Sequence, residues 1–161
     1  MSTIHLKTII KADIQTVFDL SRDIDLHQKS TSKTNEKAIA GRTSGLIEKG
    51  ETVTWQANHL GITQTLTTKI ISMEKPFQFT DVMLKGAFKS MKHQHIFKQE
   101  GKNTIMIDIF EFQSPFGIIG KIFNKLFLKN YMKNFLLERN QLIKLTAENY
   151  LNRERSERQK S

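Results

Sequence analysis

The stretch SPFGIIGKIFNKLFLKNYMKNFLLERNQLIKLTAENY, residues 114–150, decides the fold. Ser114-Pro115 is a helix-start signal: a Ser side chain accepts from an orphan backbone N–H, and Pro fits the first helical turn. No Pro follows, and the last Gly is Gly120. Unbroken, this helix runs roughly 50 Å at 1.5 Å per residue, longer than a small domain needs by itself. Its apolar stripe changes sides. Ile119, Ile122, Phe123, Leu126 and Phe127 follow helical spacing, and Leu128, Tyr131, Met132, Phe135, Leu142, Ile143 and Tyr150 form a second stripe nearly opposite. A bend near Phe127–Leu128 is expected to turn both stripes onto one core. In a straight helix, Ile119, Phe123 and Phe127, set beside lysines, instead offer a homodimer contact or an interfacial membrane anchor.

The residues upstream supply what such a helix packs on. Thr3–Ile10 reads as a strand with Ile4, Leu6, Thr8 and Ile10 on one face. Ala12-Asp13 opens a helix through Leu20, and Asp23–Ser30 reads as a second short one. From Glu36 the pattern alternates with period two. Strands are expected at Glu36–Gly41, Glu51–Leu60, Ile62–Met73, Phe77–Leu84, Phe88–Lys98 and Asn103–Gln113, separated by glycine turns or Pro76. The order strand, two short helices, six strands, long helix implies an α+β fold. Its curved antiparallel sheet of about seven strands closes on the long helix around a space. Residues 1–151 form one domain on this reading. Residues 152–161 are too charged to bury and are expected to fray.

Composition narrows the functional classes. The chain has no cysteine, so disulfides and thiolate metal sites are excluded. No secretory signal and no apolar run near the ~20 residues of a membrane span is visible, and a cytoplasmic location is the expectation. The net charge is +9, and six of the excess positive charges lie between Lys121 and Lys160. Such a face suits phosphates, but no helix-turn-helix, zinc-finger or RNA-binding strand motif accompanies it. No specific nucleic-acid partner is inferred, and the lysines read as a solvated helix face.

Several short stretches carry a family resemblance. They are Arg22-Asp23-Ile24-Asp25-Leu26-His27, Ala40-Gly41-Arg42-Thr43-Ser44-Gly45, Val53-Thr54-Trp55, Phe88-Lys89-Ser90, His93-Gln94-His95 and Ser114-Pro115-Phe116-Gly117. Together they resemble the SRPBCC superfamily of START domains, birch-pollen-allergen-like proteins and aromatic polyketide cyclases, and more narrowly a bacterial ligand-binding subgroup. The resemblance covers most of Ile4 to Tyr150. It implies a helix-grip fold with an internal cavity, and it carries no catalytic residues across.

Strand alternation then selects the site. Val53, Trp55, Ala57 and His59 share a face, as do Phe77, Phe79, Asp81 and Met83. Met91, His93, His95 and Phe97 share another, and Met106, Asp108, Phe110 and Phe112 a fourth. Each face is mostly apolar yet carries an ionisable group, which points to a polar cluster inside an apolar cavity. Trp55, Phe79, Met83, Met91, Phe110 and Met132 are expected to wall a site for a small, largely apolar molecule. His59, Asp81, His93, His95 and Asp108 would orient its polar end. Arg139, inward on the long helix, needs a carboxylate, for which Glu36 is the candidate, or else its stem snorkels to solvent. Four uses of the cluster stay open: mutual hydrogen bonding, ligand orientation, metal chelation by His93-x-His95 with Asp81 or His59, and acid–base catalysis. The catalytic candidates are His93, His95 and Asp81, for a cyclase- or hydrolase-type enzyme. The preferred reading is a binding protein with no cofactor and no assigned metal.

Overall fold

The computed structural model describes residues 1–59, 61–114 and 127–158. The chain runs β1 (Ser2–Ile10), α1 (Ile14–Ser21), α2 (Ile24–Ser30), a 3₁₀ turn (Ser32–Thr34), β2 (Lys37–Gly41), β3 (Thr52–His59), β4 (Ile62–Glu74), β5 (Gln78–Lys85), β6 (Ser90–Glu100), β7 (Asn103–Gln113) and the long helix α3 (Lys129–Arg158). Asp13 starts α1 by accepting from the Thr16 backbone N–H at 2.9 Å. Asp23 starts α2 by accepting from those of Asp25 and Leu26. Each satisfies donors that the helix itself leaves unpaired.

The seven strands form one antiparallel sheet in the order β1-β7-β6-β5-β4-β3-β2. The six later strands make a meander, and the first strand joins its far edge beside β7. Register shifts between Ala38 and Ala40, between Thr67 and Thr68, and between Ile70 and Ser72 bend the β2–β5 half of the sheet. Gly41 makes the exit from β2 possible. Its φ is +73°, and a Cβ there would lie 2.2 Å from the Thr52 carbonyl oxygen.

The helix α3 lies across the concave face and is tied to β1 at its far end. Lys144 Nζ donates to the Ile9 carbonyl at 2.9 Å, and the Lys11 backbone N–H donates to Glu148 Oε1 at 2.9 Å. Its buried residues are Met132, Leu136, Arg139, Asn140, Ile143 and Ala147, at helical spacing. Two apolar clusters result. Phe18, Phe79, Phe97, Ile143 and Ala147 belong to one, and Ile4, Leu6, Phe110, Phe112, Met132 and Leu136 to the other.

Three expectations need correction. Tyr150, assigned to the inward stripe, is half exposed because the buried row passes through Ile143 and Ala147 instead. Phe77, assigned to an inward strand face, precedes β5 and is 52 % exposed. The helix continues through Asn152–Arg158, where a frayed tail was expected: Arg and Glu lose little freedom in a helix, and Ser156 Oγ donates to the Asn152 carbonyl. Of the stripe proposed as a dimer or membrane contact, Phe127 is 44 % exposed, while Ile119, Ile122, Phe123 and Leu126 lie outside the described residues, and with them the expected bend. Among the described residues, no helix is long and apolar enough to cross a membrane.

Candidate functional site

Between the sheet and α3 lies a cavity of about 380 Å³. That is within the ~300–1,000 Å³ typical of small-molecule pockets. Ten of the twelve site residues expected from the sequence line it: Trp55, His59, Phe79, Asp81, Met91, His93, His95, Phe110, Met132 and Arg139. Two do not. Asp108 is fully buried behind the histidines. Met83 lies past Val82–Lys92, the last pair that joins β5 to β6, and packs beside Leu66 and Gly86.

Alternation on three neighbouring strands builds the polar wall. Asp81 sits opposite His93 across β5 and β6, and His95 sits opposite Asp108 across β6 and β7. The hydrogen bonds run diagonally to this register. His93 Nε2–H donates to Asp108 Oδ1 at 2.9 Å, and His95 Nε2–H donates to Asp81 Oδ1 at 3.1 Å. The His95 ring stacks on Phe79 at 4.1 Å between centroids, and the two imidazoles are 3.7 Å apart. From α3, Asn140 Nδ2 donates to Asp108 Oδ2 at 2.6 Å. Arg139 reaches Asp108 Oδ1 at 3.5 Å and donates to the Ser21 carbonyl at 2.9 Å. Asp108, rather than Glu36, is thus the carboxylate that Arg139 requires.

These contacts fix the charges. Burial and the neighbouring His95 push the His93 pKa down to about 4, outweighing the hydrogen bond to Asp108, so His93 is neutral near pH 7. Burial alone would raise the Asp108 pKa. The hydrogen bond from His93, with His95 close by and the charge of Arg139, overcomes it and holds the group well below the usual carboxylate range. Asp81 is lowered in the same way, with burial opposed chiefly by the His95 hydrogen bond. The wall therefore presents the Asp81 carboxylate, the Arg139 guanidinium and the neutral His93 imidazole to the cavity, with the Asp108 carboxylate buried behind them.

His59 does not join this cluster. Three strand spacings of ~4.8 Å separate β3 from β6, so about 14 Å of sheet intervenes. It bonds the Tyr131 hydroxyl instead, at 2.8 Å, and burial lowers its pKa. A further polar pair escapes the sequence reading. His27 on α2 stacks on Trp55 at 4.3 Å and shares a 2.9 Å hydrogen bond with buried Glu36; all three line the cavity. From the sequence, His27 on the second short helix reads equally as a residue at the cavity mouth or as a capping or surface residue. The signal available was two ionisable residues either side of a polar turn.

No known family model matches the chain, and no curated protein matches it in sequence. Solved structures do match. A START superfamily protein from Mycobacterium smegmatis superposes with a TM-score of 0.70 at 10 % identity, covering 92 % of this chain and 98 % of that one. A protein from Thermus thermophilus gives 0.69 at 15 % identity, over 88 % and 97 %. The ginseng major latex-like protein 151 from Panax ginseng gives 0.66 at 15 % identity, over 91 % and 97 %. The chain has the helix-grip fold. Identities this low establish the helix-grip architecture and leave the chemistry of the cavity to the side chains described above. In this helix-grip chain the grip is literal: α3 supplies Tyr131, Met132, Phe135, Leu136 and Arg139 to the cavity wall.

Proposed function

We propose that the protein binds one small, largely apolar molecule in the cavity beneath α3, with the molecule's polar end against Asp81, His93, His95 and Arg139. The observation that carries this reading is the composition of the cavity lining. Phe79, Met91, Phe110, Met132 and Leu136 give it apolar walls, while Asp81, His93, His95 and Arg139 converge on one side. That combination is the ordinary design of a small-molecule site: apolar area supplies affinity, and a few fixed polar groups set orientation. Two methionines on the wall, Met91 and Met132, suit an adaptable surface. The ligand class is a lipid-like or aromatic, polyketide-like molecule with a hydrogen-bonding end.

Native mass spectrometry of the purified protein, followed by solvent extraction, tests the reading. Retention of one apolar molecule, recovered intact, supports it. A carbonyl-bearing candidate returned chemically changed identifies a cyclase- or hydrolase-type enzyme with His93 or His95 as base. Failure of lipids and aromatic compounds alike to bind overturns both.

A further inference from the structure

Among the described residues, one buried side-chain atom has no aligned hydrogen-bond partner, and it belongs to the polar wall. His95 Nδ1 lies 3.2 Å from Asp108 Oδ1, but the ring does not direct an N–H along that line. With its proton on Nε2, facing Asp81, His95 turns the Nδ1 lone pair toward a carboxylate. Buried polar groups are rarely left in that state without a reason. The opposite tautomer eases the conflict: it sets an N–H rather than a lone pair beside the Asp108 carboxylate, and Nε2 is left as a free lone pair facing Asp81.

A lone pair and a carboxylate oxygen pointed at each other call for a cation between them. One nitrogen of each of His93 and His95 and one oxygen of Asp81 lie within 4.8 Å of one another. The 3.1 Å between His95 Nε2 and Asp81 Oδ1 subtends about 95–100° at an ion ~2.1 Å from each, near the angles of tetrahedral and octahedral coordination. His93 has given its Nε2–H to Asp108, so Nδ1 is the nitrogen it has to offer.

We propose that Asp81, His93 and His95 form a binding site for one divalent first-row transition-metal ion, with Asp108 behind the imidazoles orienting His93. Two nitrogens and one oxygen are a donor set suited to Zn²⁺ and Fe²⁺, and three protein ligands leave at least one coordination position open. Asp108 plays the part that carboxylates commonly play behind metal-bound histidines: it accepts from His93 Nε2–H and lies 3.2 Å from His95 Nδ1. Arg139 and Asn140 hold that carboxylate in place, and the Arg139 charge offsets it, so the ion meets the net charge of Asp81 alone. All three ligands line the cavity, so the open position faces whatever the cavity holds. The site goes beyond the binding function proposed above and is complete without an organic ligand.

The test is a Zn²⁺ titration of chelator-stripped protein by calorimetry, with imidazole ¹⁵N spectra of the wild type recorded alongside. One saturable site per chain is expected, with coordination shifts at His93 and His95 and none at His5, His27 or His59. His93→Gln/His95→Gln should abolish the site, and Asp108→Asn should weaken it about 10–100-fold. The wild-type spectra decide the matter even where a variant fails to fold. No saturable Zn²⁺ binding, or shifts at His5, His27 or His59 in place of His93 and His95, overturns the site. Either result leaves the apolar-ligand reading standing, because that is read by organic extraction.

Discussion

Replacing Asp108 with alanine is the sharpest perturbation of the buried wall. The side chain has no solvent exposure and accepts from His93 at 2.9 Å and Asn140 at 2.6 Å, with Arg139 at 3.5 Å. Its removal leaves the Arg139 guanidinium, itself 4 % exposed, without its nearest carboxylate. Breaking a buried pair from one side costs about 3–5 kcal/mol, since the remaining charge is neither paired nor hydrated. Stranded donors on His93 and Asn140 act in the same direction, so the lower figure is a floor. In a domain of this size such a loss lowers the melting temperature by about 6–20 °C. Urea unfolding at pH 7 is the assay, read as a midpoint shift at unchanged slope. Arg139→Met added to Asp108→Ala should recover part of the loss, because no buried charge then remains unpaired. A single-variant loss under about 1 kcal/mol, or a double variant worse than the sum of its parts, would refute the buried network.

Further consequences follow from the same side chains. The His93 pKa falls from 6.5 in the unfolded chain to about 4 in the fold, so between those values the unfolded state binds more protons and stability rises with pH. The contribution is complete above pH 6.5, is lost as pH falls toward 4, and amounts to about 3 kcal/mol over the window; His93→Gln should flatten the slope of urea midpoint against pH there. Asp81→Ala removes the acceptor of the His95 ring and should cost about 1–3 kcal/mol by denaturation midpoint; no change would place Asp81 outside the network. Gly41→Ala meets both a left-handed backbone and the Thr52 carbonyl oxygen, and should destabilise by at least about 1–3 kcal/mol, where Gly45→Ala, whose added methyl group meets nothing, should cost less.

Much of this was legible before the structure. Alternation placed Met91, His93, His95 and Phe97 on one face, and Met106, Asp108, Phe110 and Phe112 on another, and all eight are buried. Period two is a property of the backbone, so a strand's faces can be read without knowing its neighbours. What sequence could not show is which strands lie side by side and how far a partner reaches. His59 has the same local pattern as His95, yet two strands, β4 and β5, lie between β3 and β6. Arg139 was matched with Glu36, but His27 from α2 takes that carboxylate, and Asp108 lies directly under the helix. Met83 keeps the parity of Asp81 and still misses the cavity, because pairing between β5 and β6 ends one residue earlier. On α3 the alternation gave way to packing: Asn140 and Arg139, polar by type, occupy the buried row, while Leu137 and Leu145 are left 43 % and 47 % exposed.

The central claim is that the space under α3 is a binding site, and filling that space tests it most directly. Ala57 is 6 % exposed and lines the cavity, so Ala57→Trp places an indole inside it. The measurement is a fluorescence titration with anilinonaphthalene sulfonate, an apolar aromatic carrying one anionic group, on wild type and variant at equal concentration. A single saturable site in the wild type, lost in an Ala57→Trp protein that still unfolds cooperatively, is the expected result. Equal binding by both proteins would place the probe on the surface and contradict the account.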